Sequence, residues 1–167
     1  MATAHSWQEE LADALVDGGV EVAAWVPDKR LAPIAAALGA RELPLRTLTR
    51  EEECFGYAAG YRAAGGMPLV LLQCSGLGNS LNAVGSLAIP YGLGFPVVVS
   101  MRGTLGERNP SQVLLGRTTD AVLGLLGVQC FSLHTPDQVP AIVHGALALA
   151  EGARQLAPIV LEPTLEA

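Results

Sequence analysis

Leu43-Pro-Leu-Arg-Thr-Leu-Thr-Arg-Glu-Glu-Glu-Cys-Phe-Gly-Tyr-Ala-Ala-Gly-Tyr61 is a short apolar segment that runs into an acidic helix start. Leu43 to Leu48 has the length and composition of a strand. The helix that follows, from about Arg50 to Ala64, has small apolar residues in its later turns (Ala58, Ala59, Gly60, Ala63, Ala64), so it can pack closely, and Gly65-Gly66 ends it. Acids in a first helical turn are stabilised by the unpaired amides and the positive dipole end, by roughly 0.3–1 kcal/mol each. Thr49 with Glu52 also fits a capping box. Together these account for one or two of the three glutamates. A third acid at a strand-to-helix junction, in an otherwise apolar chain, leaves a carboxylate free for a chemical task.

The same strand-and-helix alternation extends outward on both sides. Toward the N-terminus, Ser6 to Val16 places Trp7, Leu11, Ala14 and Leu15 at helical spacing, Val20 to Val26 reads as a strand, and Leu31 to Leu38 as a second helix after Pro27-Asp28. Toward the C-terminus, Pro68 to Cys74 is a continuous apolar run, the pattern of a strand covered on both faces. The loop Ser75 to Ser80, a helix-like segment Leu81 to Ile89, a strand Phe95 to Met101 and a polar loop Arg102 to Ser111 come next. Thr118 to Leu126 reads as helix, Gln129 to Leu133 as strand, Pro136 to Glu151 as helix and Pro158 to Glu162 as strand. The pattern predicts an α/β fold: a doubly wound, mostly parallel six-stranded sheet with helices on both faces, in a single domain over residues 1–167. Ligands in such sheets bind outside the carboxyl ends of the strands. Pro27-Asp28, Thr49 to Glu53, Ser75 to Ser80 and Arg102 to Gln112 are therefore expected on one edge.

Composition narrows the function classes. Half of the 167 residues are hydrophobic and only 16% are charged, well below the usual quarter, which predicts that another subunit covers much of the surface. A net charge of -6 with scattered Arg and Lys argues against nucleic-acid binding. The N-terminal Met-Ala-Thr-Ala-His-Ser-Trp lacks the pattern of a signal peptide. Gly and Pro break every apolar run well short of the roughly 20 residues that span a bilayer, and the three cysteines read as buried small hydrophobes of a cytoplasmic protein. Cys54, Cys74 and Cys130 are odd in number and far apart, as are His5, His134 and His144, so no metal site is expected from this chain alone.

Two loops have the residue types for binding. Ser75-Gly76-Leu77-Gly78-Asn79-Ser80 has two glycines where a strand turns into a helix, which lets backbone amides approach an anion; equally, it fits a tight turn capped by Asn or Ser. It lacks the third glycine of a dinucleotide fingerprint and the Lys of a P-loop. The segment Met101 to Arg117 holds Arg102, Arg108 and Arg117. Arginine suits bidentate recognition of carboxylate, sulfonate or phosphonate, and the same residues also read as solvated charges or partners of Glu107.

Three ordered blocks, Thr49 to Gly60, Leu72 to Ala83 and Met101 to Val113, together with the Val26-Pro27-Asp28 turn, resemble the alpha subunits of sulfopyruvate decarboxylases and the N-terminal half of phosphonopyruvate decarboxylases, both thiamine-diphosphate enzymes. The resemblance implies a pyrimidine-binding domain, with the catalytic glutamate nine residues before a Gly that precedes an aromatic residue. Gly60-Tyr61 puts it at Glu51, leaving Glu52 as the cap and Glu53 solvated. It further implies that Glu51 hydrogen-bonds the aminopyrimidine ring, that Pro27, Ser75, Gly76, Leu77 and Asn79 contact the cofactor, and that Arg102, with Asn109 and Gln112, faces a second anionic group on the substrate. The family's Gly-Asp-Gly motif, which holds the diphosphate through magnesium, is absent from this sequence, as is the adjacent histidine pair of some family decarboxylases. The resemblance thus implies a beta subunit that supplies the magnesium and diphosphate site, in a hetero-oligomer that converts a 2-oxo acid to an aldehyde and carbon dioxide. Two alternatives stay open at this level: a related carboligase or decarboxylase for another 2-oxo acid, and a non-catalytic nucleotide- or phosphate-binding subunit in which Glu51 is only a helix cap.

Overall fold

The computed structural model describes residues 5–104 and 106–166, without the side chain of Glu166; Met1 to Ala4, part of the segment read for a signal peptide, lie outside it. Six strands form one sheet in the order β2-β1-β3-β4-β6-β5, every neighbouring pair parallel. They are β1 (Val22–Trp25), β2 (Leu45–Thr47), β3 (Pro68–Gln73), β4 (Pro96–Ser100), β5 (Phe131–Leu133) and β6 (Ala157–Leu161). The helices are α1 (Trp7–Asp17), α2 (Ala32–Ala40), α3 (Glu51–Ala63), α4 (Cys74–Ala83), α5 (Pro110–Leu125) and α6 (Val139–Gly152). One layer is made by α1 against α2 and α6, the other by α4 between α3 and α5.

The central strands explain why the sheet is parallel and doubly covered. All five residues of β4 and of β6 are buried, as are the first five of β3. A strand apolar on both faces needs a helical layer on each, and helical crossovers supply both layers while keeping the strands parallel. Phe55 of α3 and Phe95, just before β4, meet with ring centroids 6.0 Å apart, tying a helix to the sheet. Each such fully buried side chain contributes about 1.5–3 kcal/mol relative to exposure. The edge strands β2 and β5 are only three residues long and partly exposed.

Two helix starts differ from the sequence expectation. The strand β3 passes straight into α4 at Cys74, so Ser75 to Ser80 is the first part of a helix and not a loop. Likewise α5 begins at Pro110, eight residues before the expected Thr118, with Asn109 as its cap. In both cases low-propensity Gly and Ser residues are overridden by packing: α4 lies against both α3 and α5. The expected helix Leu81 to Ile89 is divided between the end of α4 and a π-helical turn, Val84–Ala88. No helix among the described residues is long and apolar enough to cross a membrane.

Candidate active site

The strand order places the site. From β1 the chain moves outward to β2 and then returns past β1 to β3, so the connections leave β1 and β3 in opposite directions and open a crevice between their carboxyl ends. That crevice holds a small cleft of about 90 Å³ lined by Val26, Pro27, Asp28, Glu51 and Gln73. Two of the four segments expected to share an edge line this cleft, and a third, Ser75 to Ser80, adjoins it where Gly76 lies against Glu51. The fourth joins through side chains, since Gln73 Nε2 donates to Gln112 Oε1 at 2.8 Å and Arg102 Nη1 donates to Gln73 Oε1 at 3.4 Å.

Glu51 is the first residue of α3 and is half-buried. Among the described residues no group hydrogen-bonds its carboxylate. It lies over Gly76 of α4: a Cβ at position 76 would sit 2.6 Å from Glu51 Oε1 and closer still to Cγ, so only glycine leaves the acid its place. Neither of the other two glutamates keeps the role expected of it. Glu53 makes the cap, accepting from the backbone N–H of Thr49 (3.2 Å) and Arg50 (3.1 Å) and from Thr49 Oγ1 (2.9 Å), which holds its carboxyl below the ordinary range. Glu52 instead pairs with Arg50 Nε at 2.7 Å, and its Oε2 is buried with no hydrogen-bond partner. The cap falls to Glu53 because the N-cap is Arg50, one residue later than a Thr49 box requires.

The remaining expected site residues divide by position. Ser75 receives a hydrogen bond from Gln73 Nε2 (2.5 Å) at the start of α4. The side chain of Leu77 is buried in the core, and only its backbone belongs to the first turn of α4. Asn79 is exposed one turn beyond Ser75 and is not in the cleft lining. Asn109 is committed to capping α5, its Oδ1 accepting from the Ser111 amide (3.1 Å) and hydroxyl (2.8 Å). The Arg102 guanidinium donates to Glu107 through Nε (2.7 Å) and Nη2 (2.9 Å), so the partner weighed for it in the sequence is the one it takes, leaving Nη1 toward Gln73. That pair pulls the Glu107 carboxyl down to about 2.

Two contributors were missed in the sequence. Gln73 links Ser75, Gln112 and Arg102, and the only available signal was its place as the one polar residue near the end of an apolar strand. Arg30 fastens β4 to β6 from below, donating to the carbonyls of Met101 (2.7 Å) and Glu162 (3.1 Å). Nothing in its local sequence announces that role. Among the described residues no group of His, Cys, Asp and Glu could hold a metal ion.

Residues 6–104 match the thiamine pyrophosphate enzyme N-terminal TPP binding domain. The chain belongs to the thiamine pyrophosphate enzymes. It is 33% identical over 143 residues to the sulfopyruvate decarboxylase subunit alpha of Methanococcus maripaludis, covering 85% of this chain and 86% of that one. It is 30% identical over 160 residues to the sulfopyruvate decarboxylase of Methanosarcina acetivorans, a match covering 96% of this chain but 41% of that longer one. The fold is similar to a 2-oxoglutarate:ferredoxin oxidoreductase of Magnetococcus marinus, with a TM-score of 0.73 at 16% identity, over 93% of this chain and 28% of that one. The β1–β3 cleft fits what a thiamine pyrophosphate domain must accommodate. A carboxylate with no hydrogen-bond partner among the described residues faces a small slot walled by Val26, Pro27, Asp28 and Gln73, and a glycine keeps the neighbouring helix out of its way.

Proposed function

We propose that this chain is the alpha subunit of a heteromeric thiamine-diphosphate-dependent decarboxylase that acts on a pyruvate bearing a second acidic group, such as sulfopyruvate or phosphonopyruvate, giving an aldehyde and carbon dioxide. The observation that carries the reading is the unpartnered Glu51 carboxylate fitted against Gly76 at the crevice between β1 and β3. A helix cap would be bonded to nearby amides, and here Glu53 does that work. The near full-length match to an alpha subunit gives the same direction.

Bound thiamine diphosphate supplies the electron sink for loss of carbon dioxide. The chain's own task is to place the pyrimidine end and govern one proton, which Glu51 would donate to or accept from the ring at its carboxylate oxygen. Pro27 and Gly76 would frame the ring, with the amides of Ser75 and Leu77 at the start of α4 beside it. Asn79 would border the part of the cofactor surface that a second subunit covers. Arg102 and Gln112, joined through Gln73, would form the polar wall on the substrate side. The sequence has no Gly-Asp-Gly, so a beta subunit would bring the diphosphate and magnesium site. The longer Methanosarcina relative is consistent with that division, because this chain accounts for 41% of it.

The test is reconstitution with a diphosphate-binding beta subunit, measuring carbon dioxide release from sulfopyruvate and phosphonopyruvate. Glu51→Gln is expected to lower the turnover by about 10²–10⁴-fold with an unchanged melting temperature. Full activity in that variant would refute the role given to Glu51.

A further inference from the structure

A second cleft, of about 370 Å³, opens on the same edge of the sheet, lined by Arg30, Met101, Arg102, Glu107, Arg108 and Pro163 along with small residues of the β4–α5 loop. Its base is fixed, because Arg30 ties the carbonyls at the ends of β4 and β6 together. Its wall is fixed by Glu107, whose carboxylate takes hydrogen bonds from Arg102 Nε and Nη2 and from the amides of Gly103 (3.3 Å) and Asn109 (2.9 Å). A carboxylate held by four donors is not a ligand waiting to be displaced. It forms a strut that cancels the charge of Arg102. The next residue, Arg108, is exposed on the same cleft and makes no hydrogen bond or ion pair among the described residues. Gly103 and Gly106, at φ +78° and +85°, turn the loop without adding side chains that would fill the space.

An entering anion therefore meets Arg30 engaged by strand-end carbonyls at the base, Arg102 neutralised by Glu107, and Arg108 with neither kind of bond among the described residues. We propose that the β4–α5 cleft is the subsite for the substrate's second acidic group and that Arg108, not Arg102, binds its tetrahedral oxyanion, a sulfonate or a phosphonate. The identity of the ligand rests on the decarboxylase reading; the anion site itself does not. Guanidinium donors pair with such oxyanions in a bidentate, charge-assisted manner. Arg102 then serves as a positioning residue, holding the loop in shape through Glu107.

The experiment is an amide-resolved NMR titration of the full chain with 3-sulfopropanoate and with 3-phosphonopropanoate, using propanoate as the control. Shifts are expected at Gly103, Thr104 and Gly106 with the doubly acidic probes, and Arg108→Gln should weaken that binding about tenfold or more while leaving the melting temperature unchanged. The tighter of the two probes identifies the preferred anion. Binding unaltered by Arg108→Gln, shifts confined to other regions, or no binding at tens of millimolar would overturn the proposal. If the probes bind through Arg108 while the reconstituted enzyme releases no carbon dioxide from either substrate, the decarboxylase reading fails and the anion site stands.

Discussion

Replacing Gly76 by alanine separates folding from chemistry at this site. A methyl group there would lie 2.6 Å from Glu51 Oε1 and nearer to Cγ, which is too close for both to stay. The atoms in the way run from Cγ to the carboxylate of a half-buried side chain at a cleft, so the whole acid must turn about its Cα–Cβ bond to make room. The substitution also replaces a glycine in the first turn of α4, worth at most about 1 kcal/mol in favour of alanine, or a rise of no more than roughly 2–4 °C in melting temperature for a chain of this size. Catalysis should respond in the opposite sense, because displacing a catalytic group by about 1 Å costs on the order of 10²-fold in rate. Thermal melting of the chain and carbon dioxide release by the reconstituted enzyme read the two effects separately. Gly145→Ala in α6, where a Cβ would meet nothing within 4 Å, supplies the control: equal or higher stability and unchanged turnover. A Gly76→Ala enzyme that is stable and fully active would refute the argument, since the place of the Glu51 carboxylate would then not matter.

The Glu107 carboxyl, depressed to about 2 by Arg102 and two backbone amides, makes stability depend on acidity. Its folded value lies below its ordinary one near 4.5, so its contribution is complete above that point and is lost as pH falls toward 2. Urea midpoints of the native chain and of Glu107→Gln should therefore differ at pH 6 and draw together as pH falls from 4.5 toward 2; a gap that does not narrow over that range would contradict the assignment. The thiols give a further check. Burial pushes Cys54 up to about 12 and Cys130 up to about 11, and raises Cys74 as well. All three should react far more slowly with a disulfide reagent at pH 8 in the native chain than in urea, and a fast native thiol would count against the packing around it.

The fold could be read from the sequence because its signals are of the kind that tertiary context reinforces. Runs such as Pro68 to Leu72 are apolar on both faces, and their spacing between helical segments admits few arrangements besides a parallel sheet. Glu51 was singled out by the resemblance around Gly60-Tyr61, and the fold puts it beside Pro27. What could not be read was set by contacts between distant segments. Capping among three adjacent glutamates turned on a one-residue shift of the α3 start, which no local rule fixes. The helical state of Ser75 to Ser80 depends on α3 and α5 lying against it, and its glycines pointed instead to a loop. The bonds by which Gln73 reaches Arg102 and Gln112 and by which Arg30 reaches the ends of β4 and β6 span 29 or more residues, so the sequence around each carries no trace of the role.

The margins of the sheet have a consequence of their own. With β2 and β5 each three residues long, neither border offers a foreign chain a ladder of useful length, and growth of the sheet by added strands is discouraged. Anything that docks on this subunit must recognise side chains and loop shape. Pairing specificity is then written in replaceable residues, and partner choice can be altered by surface substitution while the sheet itself stays untouched.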